Sequence, residues 1–146
     1  MDSRLLALVL DALIPPTQDG RLPGAGTLGA GAVVQNAAAA TPGLAPLIEQ
    51  GLEALEDIAG RRDAGGFAAL SSGARVEALR ELEEASPELL PTLLTFACVS
   101  YYSNERVLTA LNGNARPPHP EGYDLEPDDR SLLEPVRLRG KLYREC

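Results

Sequence analysis

Apolar residues recur at helical spacing through most of the first 112 residues of the chain. In residues 2–14 the apolar face is unusually wide, and its members are Leu5, Leu6, Leu8, Val9, Leu10, Leu13 and Ile14. Pro15-Pro16 ends this stretch, because a residue that precedes proline avoids the helical region. So wide a stripe predicts a helix that is covered on most sides, by the rest of the fold or by a partner.

Further stretches show the same spacing, with turn or capping residues between them. They predict helices over residues 25–40, 44–60, 73–85, 87–103 and 104–112. Ser71 or Ser72, Ser86-Pro87 and Asn104 supply the start signals of the last three. Residues 87–103 are the most apolar stretch, so we expect this helix at the centre of the domain. In the connection before residue 71, Phe67 and Leu70 are expected to dock into the core.

The pattern changes at residue 113, where Pro, Gly and Asp become frequent and long regular elements are disfavoured. The remaining apolar positions are spaced like the contact points of a strap that lies over a surface. We therefore predict an all-α protein with a single compact bundle of five or six helices over residues 1–112. An extended arm over residues 113–146 wraps that body or a partner.

Composition supports a helical core and limits the partners. Apolar residues make up 45% of the chain but aromatic residues only 4%, so Leu, Ala, Val and Ile must fill the core, and Leu and Ala are good helix formers. The net charge of −8 argues against a nucleic-acid partner. Residues 130–146 nevertheless hold five basic and two acidic groups. This basic end either folds back onto the acidic body or contacts an acidic partner.

The cysteines and the N-terminal stretch bear on location. Cys98 and Cys146 lie far apart and match no metal-binding spacing, which is the usage of a reducing compartment. Asp11 interrupts the apolar N-terminal run, which lacks the features of a secretory or twin-arginine signal and is too short for a membrane span. We expect a cytoplasmic protein without direct membrane insertion.

Residues Gly24–Gly29 spell the G-x-G-x-x-G pattern of dinucleotide-binding proteins. That pattern has its physical meaning only between a strand and a helix, and here a Pro-Pro break and a turn-rich loop precede it. We therefore expect no cofactor in this chain. The glycines are interpreted as a loop whose small residues let a helix pack closely.

Catalytic and metal-binding chemistry finds little support in the sequence. His119 is the only histidine and lies between two prolines. It is either an exposed or docking residue or, as the alternative, a general base. The acidic run at residues 124–129 lacks the glycine and the closing glutamate of a calcium loop. We predict no catalytic and no metal-binding residues, apart from the alternative role of His119.

Tyr101-Tyr102-Ser103 ends the most apolar stretch. Either one tyrosine packs in the core while the other reaches water, or the pair belongs to an interface, where tyrosine is enriched. The interface hypothesis combines this corner with the first helix and the arm. Its residues are Leu5, Val9, Tyr101, Tyr102, Tyr123, Arg137, Arg139 and Tyr143.

Short motifs give the chain a resemblance over nearly its whole length. The chain resembles the gluconate 2-dehydrogenase subunit 3 family in three motifs. They are the Ile14-Pro15 break, the loop that ends in Pro23-Gly24-Ala25, and the Tyr101-Tyr102-Ser103 step followed by Val107. The resemblance implies a large partner subunit, a flavoprotein of the glucose-methanol-choline type that holds FAD. A cytochrome subunit is a further partner that the resemblance allows. Family members often carry a twin-arginine signal, and this sequence departs from them there.

We therefore expect a non-catalytic small subunit that stabilises or matures an FAD-dependent sugar, glycoside or alcohol dehydrogenase. The sequence is also compatible with two alternatives. One is a stand-alone helical homo-oligomer in which the first helix pairs with its own copy. The other is a small enzyme that uses His119.

Overall fold

A computed structural model describes residues 2–113 and 128–140, and all regular structure within these ranges is helical. The all-α prediction is confirmed. The chain divides into two compact units, residues 1–116 and 117–146. The first unit contains α1 (Ser3–Leu13), α2 (Ala30–Ala40), α3 (Leu44–Gly60), α4 (Gly66–Ala69), α5 (Ser72–Ala85), α6 (Leu89–Tyr102) and α7 (Glu105–Asn112).

The first helix lies within one residue of its predicted bounds. The Asp2 carboxylate caps α1, because it accepts hydrogen bonds from the backbone N–H groups of Arg4 (2.8 Å) and Leu5 (3.2 Å). At the other end, the chain leaves the helical conformation at Ile14, directly before the prolines.

The glycine-rich loop packs against α1. A Cβ atom added to Gly26 would overlap the backbone carbonyl of Ala7, so only glycine permits this approach. Asp11 holds the loop from the side, since its carboxylate accepts from the backbone N–H and the hydroxyl of Thr27, each at 2.9 Å. The predicted close packing is confirmed. The helix predicted from residue 25 begins only at Ala30, because Gly29 adopts a left-handed conformation with φ of 86°.

The core lies where α6 packs against α1, α2, α3, α5 and α7. Its largest fully buried side chains are Leu6, Val9, Leu10, Val34, Ile48, Leu55, Phe67, Leu82, Leu89, Leu93 and Val107. Phe67 comes from the short helix α4, which the periodicity does not predict as a helix. The guanidinium of Arg75 lies 5.5 Å from the Phe67 ring centre, and its Nε donates to the Phe67 carbonyl (3.1 Å). Phe67 and Leu70 are both buried, as predicted.

Two of the three predicted capping residues cap the later helices with their side chains, and the third does not. Ser71 accepts from the Ala74 amide (3.3 Å) at α5, and Asn104 accepts from the Arg106 amide (3.0 Å) at α7. Ser86 instead uses its backbone carbonyl to accept from the Leu89 amide (3.2 Å). Residues 87–88 therefore form a turn, and α6 begins two residues later than predicted.

In the second unit, the described residues 128–140 are largely helical and not extended. Asp129 accepts from the Ser131 amide (3.0 Å) and starts a 3-10 helix over Arg130–Leu133, which continues into α8 (Glu134–Leu138). Hydrogen bonds from Ser131 lower the pKa of the Asp129 carboxyl below 3.8, and the Ser131 hydroxyl contributes more to this shift than the Ser131 amide does. This corrects the expectation of an extended arm for residues 130–138.

Candidate partner interface

The two tyrosines at the end of α6 have different surroundings. Tyr101 is 4% exposed, and its hydroxyl donates to the Pro23 carbonyl at 3.2 Å, which ties α6 to the glycine-rich loop. Tyr102 is 55% exposed and meets the Tyr101 ring edge to face, with ring centres 5.3 Å apart at 83°. Burial, and to a smaller degree the neighbouring Tyr102, raises the pKa of Tyr101 above 10. Tyr101 is thus a core residue, and Tyr102 lies on the surface.

Tyr102 belongs to an exposed apolar face of α6. Leu94 is 40% exposed and Val99 is 61% exposed, and both lie on the same side of the helix as Tyr102. Cys98 lies half-buried between them. We call these four residues the outer face of α6. Only the opposite side of α6 is buried in the core. The prediction that this helix lies at the centre of the domain therefore holds for its buried side, while the outer face lies on the surface.

No charged side chain lies on this helix. The chain contains neither Asp, Glu, Lys nor Arg from residue 89 to residue 104. A surface helix normally places charged residues on the side that faces water. An apolar outer face without charges is typical of the core of an interface between proteins, where charged residues are depleted.

The structure corrects the prediction that Leu5 and Val9 contact a partner. They are 7% and 1% exposed, and the chain's own helices cover them. No apolar side chain of α1 is exposed, so the wide stripe is covered by the rest of the fold. The same burial contradicts a homo-oligomer that forms by pairing of this stripe.

The arm contributes exposed residues whose role as an interface stays a prediction. Arg137 and Arg139 are both exposed, and Arg137 pairs with Glu134 at 3.3 Å. An exposed pair at this spacing contributes little to stability. Tyr123, Tyr143 and His119 lie outside the described residues.

The glycine-rich loop uses its amides within the chain. Four amides of the loop donate to backbone carbonyls of this chain at 3.0–3.1 Å. The pairs, with the donor first, are Ala25 and Ile14, Leu28 and Gly24, Gly29 and Gly26, and Ala30 and Ala25. A phosphate-binding loop instead points its N–H groups toward the ligand. Packing on α1 therefore explains Gly24 and Gly26, and the left-handed conformation explains Gly29.

Two carboxylates that line an acidic surface groove have structural partners. A groove of about 430 Å³ is lined by Leu52 together with Asp2, Glu53 and Glu56. Asp2 caps α1, and Glu56 accepts from the amide of Phe67 at 3.3 Å. Among the described residues no three His, Cys, Asp or Glu side chains are grouped so that they could hold a metal ion. None of the described helices is long and apolar enough to cross a membrane.

An all-α chain whose most apolar helix keeps an uncovered, uncharged face is typical of a subunit that associates with another protein. The chain belongs to the gluconate 2-dehydrogenase subunit 3 family, since the family model of that description matches residues 1–119. The family is a subunit of a multi-subunit dehydrogenase, so partner subunits are implied. Neither the curated proteins nor the solved structures contain a match.

The matched region includes the whole outer face of α6 and ends before residues 128–140. Of the predicted interface residues, only Tyr102 lies on that face. Leu94 and Val99 were not predicted, because their spacing is compatible with a buried helix. The signal that identifies them is the absence of charge from residue 89 to residue 104.

Proposed function

We propose that this chain is a non-catalytic companion subunit of an FAD-dependent dehydrogenase that oxidises a sugar, a glycoside or another alcohol. Membership of a subunit family supports the proposal. The structural observation that carries it is the outer face of α6, where large apolar side chains face water although the chain has formed its own core. Exposed apolar surface of this kind is stabilised when a partner covers it.

In this proposal the chemistry belongs to the partner. A large flavoprotein of the glucose-methanol-choline type holds FAD and oxidises the substrate, and a cytochrome subunit is a further component. The present chain stabilises or matures the large subunit. A chain that binds only the native state of its partner shifts the partner's folding equilibrium toward that state. The cytoplasmic location stays a prediction.

A homo-oligomer is the second candidate, now through the outer face of α6 and not through α1. The exposed face itself is the observation that favours it, since a second copy presents the same apolar surface. A charge of −8 on each copy opposes this pairing, because like charges repel when two copies approach.

The test is to express the tagged chain in its native host and to purify it under mild conditions. Size-exclusion chromatography with a visible absorbance scan, followed by mass spectrometry, then identifies what elutes with it. We expect a larger flavoprotein with an oxidised flavin spectrum and dehydrogenase activity. A further culture that lacks this chain should yield less folded flavoprotein. A colourless single species that contains only this chain would contradict the proposal.

A further inference from the structure

The uncharged surface extends beyond α6. No charged residue occurs from position 22 to position 48, a segment that includes all of α2. The helices α2 and α6 pack directly against each other. Val33 of α2 is also exposed, at 36%. Two segments that lack charges are thus brought together, although the chain as a whole contains 34 charged residues, of which 21 are acidic.

This placement separates two kinds of surface on the first unit. The helices α3 and α5 carry many of the charges, and ion pairs of Arg61 and Arg62, which follow α3, with Glu81 of α5 join them. The helices α2 and α6 carry none. An apolar partner surface that approaches α6 would therefore not have to remove water from a charged group on either helix.

We infer that the outer face of α6 is the surface on which the large catalytic subunit docks. The inference rests on the proposed function, which supplies the partner. The contact surface of that partner is apolar and uncharged opposite Leu94 and Val99. Opposite Tyr102 it offers a hydrogen-bond acceptor, because a phenol that becomes buried needs a partner for its hydroxyl.

The catalytic subunit fits this face better than a second copy does. The family to which the chain belongs implies partner subunits, and the proposed function makes the catalytic subunit one of them. Two copies of this chain would bring together two bodies that each carry a charge of −8. Tyr102 meets Tyr101 edge to face, and Tyr101 is anchored to the Pro23 carbonyl, so the exposed aromatic ring is held by a rigid neighbour. Rigid, partly exposed tyrosines are frequent among the residues that dominate binding energy.

A pair of matched variants tests the inference. Val99→Glu places a carboxylate on the outer face of α6, where the side chain is 61% exposed. Val76→Glu places the same group at a 40% exposed valine of α5, which lines a groove with Pro15 and Pro16 and with no residue of α6. Both changes are the same in chemistry and in net charge. The flavoprotein recovered with the unaltered chain, purified and immobilised, serves as the probe for binding measurements.

We expect Val99→Glu to weaken binding at least tenfold, because an unpaired carboxylate would be buried at the interface. Val76→Glu should leave the affinity within about twofold of that of the unaltered chain. Circular dichroism and thermal unfolding confirm that each variant is folded. Leu94→Gln, a smaller change on the same face, gives a second measurement if Val99→Glu does not fold.

Protection of Cys98 supplies an independent readout, since its half-buried thiol lies on the outer face. Alkylation of Cys98 by iodoacetamide, measured by mass spectrometry in a Cys146→Ser background, should slow at least fivefold when the flavoprotein is bound.

If Val99→Glu and Leu94→Gln bind normally and Cys98 stays reactive, the surface assignment is wrong while the companion role stands. If the unaltered chain recovers no flavoprotein, the proposed function fails first. A homodimer that Val99→Glu dissociates would assign the face to a second copy and overturn the inference.

Discussion

At the residue scale, Gly26 determines how closely the loop after α1 approaches that helix. A Cβ atom at this position would overlap the Ala7 carbonyl, and backbone on both sides has little freedom to move. We expect Gly26→Ala to lower the free energy of unfolding by about 1–3 kcal/mol, as for other overpacked sites. Urea titration followed by circular dichroism measures this change.

Gly73 is the matched control for that substitution. It lies in α5, and an added Cβ atom would meet nothing within 4 Å. Gly73→Ala should therefore raise the free energy of unfolding, by at most about 0.5–1 kcal/mol in this first turn, because alanine has the higher helix propensity. Equal effects of the two alanine substitutions would contradict the role assigned to Gly26.

Tyr101 couples the stability of the chain to alkaline pH. Its pKa in the folded chain is raised above 10, so the folded state retains the phenol proton when the unfolded state has lost it. This contribution is complete below the unfolded pKa of about 10 and disappears as the pH rises through the folded value. We expect the free energy of unfolding to fall above about pH 10, and Tyr101→Phe to make that fall less steep.

At neutral pH the same variant tests the hydrogen bond to Pro23. Tyr101→Phe leaves the Pro23 carbonyl without its phenol donor and should lower the free energy of unfolding by about 0.5–1.5 kcal/mol. Urea titrations at neutral and alkaline pH separate the two effects. Parallel pH profiles for the variant and the unaltered chain would show that Tyr101 is not the titrating group.

At the scale of the element, helices whose ends are defined by local chemistry were predictable. α1 and α3 lie within one residue of their predicted bounds, since proline breaks, caps and apolar spacing agree there. α2 and α6 begin later than predicted. Their starts depend on a left-handed glycine and on a turn, and neither is visible in the apolar spacing.

The side that a helix buries was less predictable than its existence. Val76 lies at helical spacing from the buried Leu79, but its side chain is 40% exposed. In α6 almost every position is apolar, so periodicity does not distinguish the buried side from the exposed one. The short helix α4 escaped prediction because four residues are too few to show a period, although burial of its Phe67 was predicted correctly.

The cap of α7 provides a test at this scale. Asn104 satisfies the Arg106 amide, which otherwise lacks a partner in the first turn. Asn104→Ala should lower the free energy of unfolding by about 1 kcal/mol, whereas Asn104→Asp keeps an acceptor and should have a small effect. Thermal unfolding of the three chains provides the comparison. A loss in the aspartate variant as large as in the alanine variant would show that the contribution of Asn104 is not capping.

At the scale of the whole molecule, the distribution of charge decides which surface is available to a partner. The interface prediction from the sequence included Tyr102, which is exposed, but also Leu5, Val9 and Tyr101, which the fold buries. A wide apolar stripe has the same appearance whether the chain or a partner covers it. An uncharged helix indicates a partner surface only when the structure shows that one side of that helix is exposed.

Salt dependence distinguishes the two surfaces proposed for binding. An interface formed by the outer face of α6 contains no charges on this chain, so screening by salt has little to weaken. An interface formed by Arg137 and Arg139 with an acidic partner would depend on attraction between charges, which added salt screens.

We expect the dissociation constant of the complex to change less than about threefold between about 50 and 500 mM sodium chloride. Biolayer interferometry with the purified flavoprotein measures it. The double variant Arg137→Gln/Arg139→Gln is the control, and it should bind like the unaltered chain. A tenfold weakening in salt that the double variant abolishes would instead place the main contact on the arm.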